Sequence, residues 1–221
     1  VDAAAMWRVI DAERTGVAEL LAGLTDEQWE RPSLCAGWRV REVAAHLGIG
    51  PRARLGWVLV ETVRAGGGFN RMVDRTARRE AARRSPEQLT AELREASGSR
   101  HLAPGQKLGY AMLDILVHGQ DIAVPLGLDR AMPLEAARGS AEIAWRIGFP
   151  FHARRRLRGV RLAATDVDWT AGDGPEVAGP IAALLLLLTG RDGAALARLD
   201  GPGVAVLDGA RSHPSGGAGS R

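Results

Sequence analysis

From Leu108 to Leu128 the chain has no lysine, arginine or glutamate, yet Asp114, His118 and Asp121 stand there among leucines, isoleucines and valines. At about 100° per residue these three project within an arc of roughly 60° on one helical face. Met112, Ile115, Gly119 and Ile122 flank that arc on one side, and Leu113, Val117 and Val124 on the other. The wet side of an amphipathic helix would carry Lys, Glu or Arg, so this stripe is expected to face the interior. A lone buried charge is expensive and needs a partner; a divalent cation is one.

Asp114 and His118 are spaced i, i+4, close enough on a helix to share one ion. A third ligand has to come from another helix. Of the five histidines, His46 is the best placed, at the edge of an apolar face formed by Val40, Val43, Ala44 and Leu47. Two histidines and one carboxylate leave positions open for water or substrate, as catalytic sites do. The donors suit Zn²⁺, with Ni²⁺ or Fe²⁺ as alternatives. Spacing alone also permits His46 and His118 to be hydrogen-bonded core histidines, with Asp114 bonded to backbone or to an arginine. Asp121, one turn beyond His118, either orients the second nitrogen of a ligand or bonds to a neighbouring arginine.

Helical periodicity dominates the first two thirds of the chain. Met6, Val9, Ile10, Val17, Leu20, Leu21 and Leu24 recur at helical spacing over residues 3–24. Thr25-Asp26-Glu27-Gln28 and Ser85-Pro86-Glu87-Gln88 read as capping boxes. Gly48, Gly50 and Pro51 interrupt or kink the helix that carries His46. The helix of Asp114 stops at Pro125 and Gly127, and residues 134–147 form a last helix. Beyond the Arg154-Arg155-Arg156 run the pattern changes. Val160–Ala163 and Val167–Thr170 are predicted strands, Gly172–Pro175 a turn, residues 181–188 a wholly apolar helix, and Val204–Leu207 a returning strand. We therefore expect a mainly α helical domain over 1–154 and a small α/β domain over 155–208. Residues 209–221, Gly/Ser-rich with nothing apolar to bury, are expected to be disordered.

A formal charge of +3 makes a poor case for nucleic-acid binding. The arginine-rich stretches 71–84 and 154–161 lack interleaved aromatics and read as solvated helix faces. One cysteine, Cys35, allows no intramolecular disulfide. Neither end resembles a signal peptide, and the longest apolar run falls far short of the roughly 20 residues that span a bilayer. A soluble, cytoplasmic protein is expected, without membrane or nucleic-acid partners.

The segment Pro32-Ser33-Leu34-Cys35-Ala36-Gly37-Trp38-Arg39-Val40-Arg41-Glu42-Val43-Ala44-Ala45-His46-Leu47 resembles the "LCxGWxVRxVxxHL" signature of the actinobacterial mycothiol-dependent maleylpyruvate isomerase family, within the DinB/YfiT-like superfamily. Asp114-Ile115-Leu116-Val117-His118-Gly119-Gln120-Asp121 is similar to its acidic residue four positions before a histidine, followed by Gly-x-Asp. Thr165–Trp169 and Gly174–Pro180 resemble its small second domain. The resemblance spans roughly residues 5–207. It implies a DinB-like four-helix bundle that holds a divalent metal, usually zinc, on His46, Asp114 and His118, with mycothiol as co-substrate. The family more often has glutamate where this chain has Asp114. The implied function is a metal-dependent isomerase or thiol transferase acting on a small electrophile. A non-catalytic ligand- or metal-binding DinB-like protein is one alternative, an arginine-rich nucleic-acid-associated protein another.

Cys35 has no histidine near it in sequence, and its loop predicts an inert thiol packed against Trp38. Arg39, Arg52 and Arg54 flank the His46 helix and are candidates for a substrate carboxylate. Trp7, Trp29, Trp57 and Trp145 are expected in the core or in pocket walls. Gly66-Gly67-Gly68 lacks a following Lys-Ser/Thr and is not a phosphate loop.

Overall fold

The computed structural model describes residues 2–212. They form two compact units, one running to Ser140 and one from Ala141.

In the first unit, helix α1 (Ala3–Ala22) starts on Asp2, whose carboxylate accepts the Ala5 N–H. The short α2 (Asp26–Trp29) opens with the Thr25/Gln28 capping box in place. Helix α3 (Val40–Ile49) is broken by a tight 3-10 turn at Gly50-Pro51-Arg52 before α4 (Leu55–Arg64). The polar stretch that follows is α5 (Phe69–Arg83). Helix α6 (Pro86–Ala96) carries the second capping box, with Pro86 in its first turn. Helix α7 (Leu108–Ala123) ends in a turn through Pro125, with Gly127 left-handed at φ 69°.

Four of these helices make a bundle. Helix α1 packs on α6 and α7, and α3 packs on the same two. Between them lie Ile10, Val17, Leu21, Val43, Leu89, Leu93, Met112, Leu116 and Ile122, all removed from water. Burial of that set is the main stabilising term for the unit. Helix α5 packs on the outside of α3, and α4 on α5. The arginines of α5 and of its C-terminal cap are partly paired: Arg79 with Glu61 at 2.7 Å, and the capping Arg84 with Glu80 and Glu92.

Gly16, which weakens the helical pattern of α1, has a packing reason. A Cβ there would meet Arg130 Nη1 at 3.1 Å, and one on Gly119 would meet Arg130 Nε at 3.0 Å. The two glycines form a slot for the Arg130 guanidinium, which pairs with Glu13 at 2.6 Å.

Helix α8 (Leu134–Arg146) contains the division between the units. The second unit continues with α9 (Ala153–Arg156) and a three-stranded sheet. Its strands are β1 (Arg161–Ala164), β2 (Thr170–Gly172) and β3 (Glu176–Gly179), in the order β2-β1-β3. β1 is antiparallel to β2 and parallel to β3, with Leu162 opposite both Ala171 and Val177. The apolar helix α10 (Ile181–Leu188) packs on β1 and β3, followed by α11 (Asp192–Leu196).

Two expectations for this unit are corrected. Residues 167–169 are loop: Ala164 N–H bonds to Trp169 O, and Asp166 accepts the Ile181 N–H at the start of α10. Residues 204–207 lie in helix α12 (Pro202–Ser212), which packs on β3. Pro202 pre-sets the first helical φ after Gly201 turns the chain at φ 105°. Of the expected tail, residues 209–212 belong to α12, and residues 213–221 lie outside the described residues. Among the described residues no helix is long and apolar enough to cross a membrane.

Candidate metal centre

His46 on α3 and Asp114 and His118 on α7 come together in the bundle. The Asp114 Oδ1 atom lies 3.5 Å from His46 Nε2 and 3.4 Å from His118 Nε2. The imidazoles meet edge to face, ring centres 4.8 Å apart. The side chains are 21%, 36% and 12% exposed for His46, Asp114 and His118, so the cluster opens to solvent on the Asp114 side. Asp121, fully buried, presents Oδ2 to His118 Nδ1 at 2.8 Å.

Local sequence fixes each position. The α3 start is set by Glu42, whose carboxylate accepts the Arg39 N–H at 2.8 Å and pairs with the Arg39 guanidinium. Ahead of α3, Cys35 O accepts the Trp38 N–H across a turn with Gly37 third, at φ 77°, the conformation a type II turn demands. Ser33 Oγ accepts the Cys35 N–H and donates to Trp38 O. Leu34 N–H donates to Asp121 O, joining this loop to α7. The Trp38 ring then lies 5.4 Å from His46 and 6.4 Å from His118. Its indole N–H donates to Asp74 at 2.7 Å, and Arg78 ties Asp74 to Gly37 O.

Burial alone would push the Asp114 carboxyl up, but the facing imidazoles of His46 and His118 outweigh it and hold the group well below the usual carboxylate range. Burial would pull the His118 imidazole down; Asp114, then Asp121 and Cys35, outweigh it and raise it well above its ordinary value. Positive charge is therefore in demand between these groups, and a proton or a cation can meet it.

The residues fit a divalent cation. In a tetrahedral zinc site, N and O donors about 2.0–2.1 Å from the ion stand roughly 3.3 Å from one another. The two imidazole-to-carboxylate separations match that spacing, and one atom from each residue falls within a 4.8 Å cluster. With the Nδ1–H of His118 donated to Asp121, the Nε2 lone pair is the one that faces Asp114, the tautomer a metal ligand needs.

Other sequence candidates are placed elsewhere or differently. Arg39 pairs with Glu30 and Glu42, and Arg52 with Gly48 O and Glu92, so both guanidiniums are engaged in structure. Cys35, expected to pack on Trp38, is half-buried and makes polar contacts that the sequence did not suggest. Its Sγ donates to Asp121 Oδ2 at 3.0 Å and lies 3.7 Å from His118 Nδ1. Sequence reasoning missed this because the histidine beside Cys35 is 83 positions away; the signal was its place in the same short motif as His46.

Residues 10–107 match the family model of the mycothiol maleylpyruvate isomerase N-terminal domain. Over these residues, somewhat less than half of the chain, the sequence is similar to that N-terminal domain. The match takes in His46 and ends before Asp114. Two solved structures share this fold over almost the whole chain. One is a mycothiol-dependent maleylpyruvate isomerase, 13% identical, with 91% of this chain and 93% of that one covered at a TM-score of 0.63. The other is the same isomerase with a histidine replaced by alanine, 14% identical over the same shares, at a TM-score of 0.61. No curated protein is similar enough in sequence to register as a match.

Proposed function

We propose that this chain is a metal-dependent isomerase that uses mycothiol as its thiol co-substrate and acts on a small electrophile with a cis double bond. The observation that carries the proposal is the convergence of His46 Nε2 and His118 Nε2 on Asp114 Oδ1, with Asp121 behind His118. The similarity of residues 10–107 to the N-terminal domain of mycothiol maleylpyruvate isomerase supports the thiol and the reaction class.

In this reading His46, Asp114 and His118 would hold the cation, with Asp114 on the side that faces solvent. A bound divalent cation supplies the charge that keeps a thiol ionised near neutral pH. Asp121 accepts the His118 Nδ1 proton and keeps the ring in one tautomer. Trp38 walls the imidazole side, where a flat substrate can lie against the indole. Addition of the thiol sulfur to one carbon of a cis double bond converts it to a single bond. Rotation and loss of the same sulfur then give the trans product and return the thiol.

The test is elemental analysis of the purified protein beside His118→Ala, with turnover of maleylpyruvate followed with and without mycothiol. A divalent metal near one equivalent in the wild type, lost in the variant, and thiol-dependent conversion are the expected results. Equal metal in both proteins overturns the ligand set. Metal retained without thiol-dependent turnover overturns the enzyme in favour of a metal-holding binder.

A further inference from the structure

The Asp121 carboxylate meets two donors on one oxygen. Cys35 Sγ stands 3.0 Å from Oδ2 and His118 Nδ1 stands 2.8 Å from the same atom. Asp121 is wholly buried, on the α7 face turned toward the Cys35 loop. A buried carboxylate needs hydrogen bonds to its oxygens, and these help to fix its orientation. The Cys35 loop is built to deliver its donor there. The Gly37 turn, the Ser33 hydroxyl and the bond from Leu34 N–H to Asp121 O fix its backbone against α7.

We propose that Cys35 is a positioning residue for the metal centre, acting through Asp121: its thiol proton holds Oδ2 where it accepts Nδ1–H of His118, and so fixes the tautomer and plane of that imidazole. The inference rests on the metal reading above for its consequence, but not for its geometry. Carboxylates behind metal-bound histidines govern affinity because they orient the ring and set which nitrogen carries the proton. A donor that anchors such a carboxylate extends the same control by one residue. A thiol is well suited to this role, because a sulfur's longer reach and weaker donation hold the carboxylate in place while the imidazole keeps the stronger bond.

The experiment compares wild type, Cys35→Ala and Cys35→Ser by two readouts. One is zinc affinity from competition with a chromophoric chelator. The other is the ¹⁵N shift pair of the His118 ring in metal-free protein, read at a pH above the ring's raised value, where the imidazole is neutral and the shifts report its tautomer. Removing the donor in C35A is expected to weaken zinc binding by about three- to tenfold, below the 10–100-fold typical of removing the carboxylate itself. It is also expected to move the ring shifts toward a tautomer mixture. C35S, which keeps a donor, is expected to recover most of both. Wild-type affinity and shifts in C35A overturn the proposal. So does a C35S that behaves as C35A does, because the thiol's volume and not its proton would then be at work. A wild type that takes up no zinc defeats the metal reading alone, and the ring shifts then decide Cys35 by themselves.

Discussion

His46 Nε2 stands 3.5 Å from Asp114 Oδ1, although 68 positions separate the two residues along the chain. Only the packing of α3 on α7 brings them together, so anything that strengthens this contact also strengthens the bundle.

Zinc added to metal-stripped protein is therefore expected to raise its melting temperature. A ligand at one hundred times its Kd, bound only by the folded state, stabilises by about 2.7 kcal/mol. Thermal unfolding with chelator and with zinc measures it. In His46→Ala and Asp114→Ala the zinc-dependent rise is expected to disappear.

The His118 imidazole gives the pH dependence its sign. Its folded value is raised above the ordinary value, so in chelator its contribution is fully present below about pH 6.5 and is lost as pH rises through the folded value. A cation has to displace that proton, so zinc affinity is expected to grow over the same rise. Unfolding free energies in chelator and zinc affinities, both measured across pH 5.5–9, should trend in opposite directions.

Glu61 governs the acid side. Burial would raise its carboxyl, but bonds from Arg64 and Arg79 outweigh that and hold it below its ordinary value. Its contribution is present above about pH 4.3 and lost as pH falls through the folded value. Glu61→Gln is expected to cost about 1–2 kcal/mol at neutral pH, a difference from wild type that narrows in acid. Urea unfolding at pH 7 and pH 3.5 reads both.

The Arg130 slot predicts a steric effect beside the candidate metal centre. Gly119→Ala puts a Cβ 3.0 Å from Arg130 Nε and 3.4 Å from Val17 Cγ2. Overpacking of this kind costs about 1–3 kcal/mol. Urea unfolding of the metal-stripped variant should show a loss of that size, and an unchanged midpoint would mean that Arg130 leaves the slot without cost.

The bundle was legible because its signals are local. Apolar periodicity marked α1 and α7, and Thr25/Gln28 and Ser85/Gln88 set helix starts that the structure keeps. Asp114 and His118 stood out for the same reason, as polar residues at helical spacing inside an apolar run. Residues 204–207 misled because Val204 and Val206 suggested a strand, while Pro202 two positions earlier carried the helix start. Cys35 was illegible for a different reason. Its partner Asp121 is 86 positions away, and only the folded turn aims the thiol there.

The two-helix origin of the donors has a further consequence. A cation gripped by His46 and Asp114 would tie α3 to α7 across a long stretch of chain for as long as the bundle stays folded, and so would oppose local parting of those two helices by mass action. The ion would then be a removable staple, and how tightly this bundle breathes would be set by how much of the ion its surroundings supply.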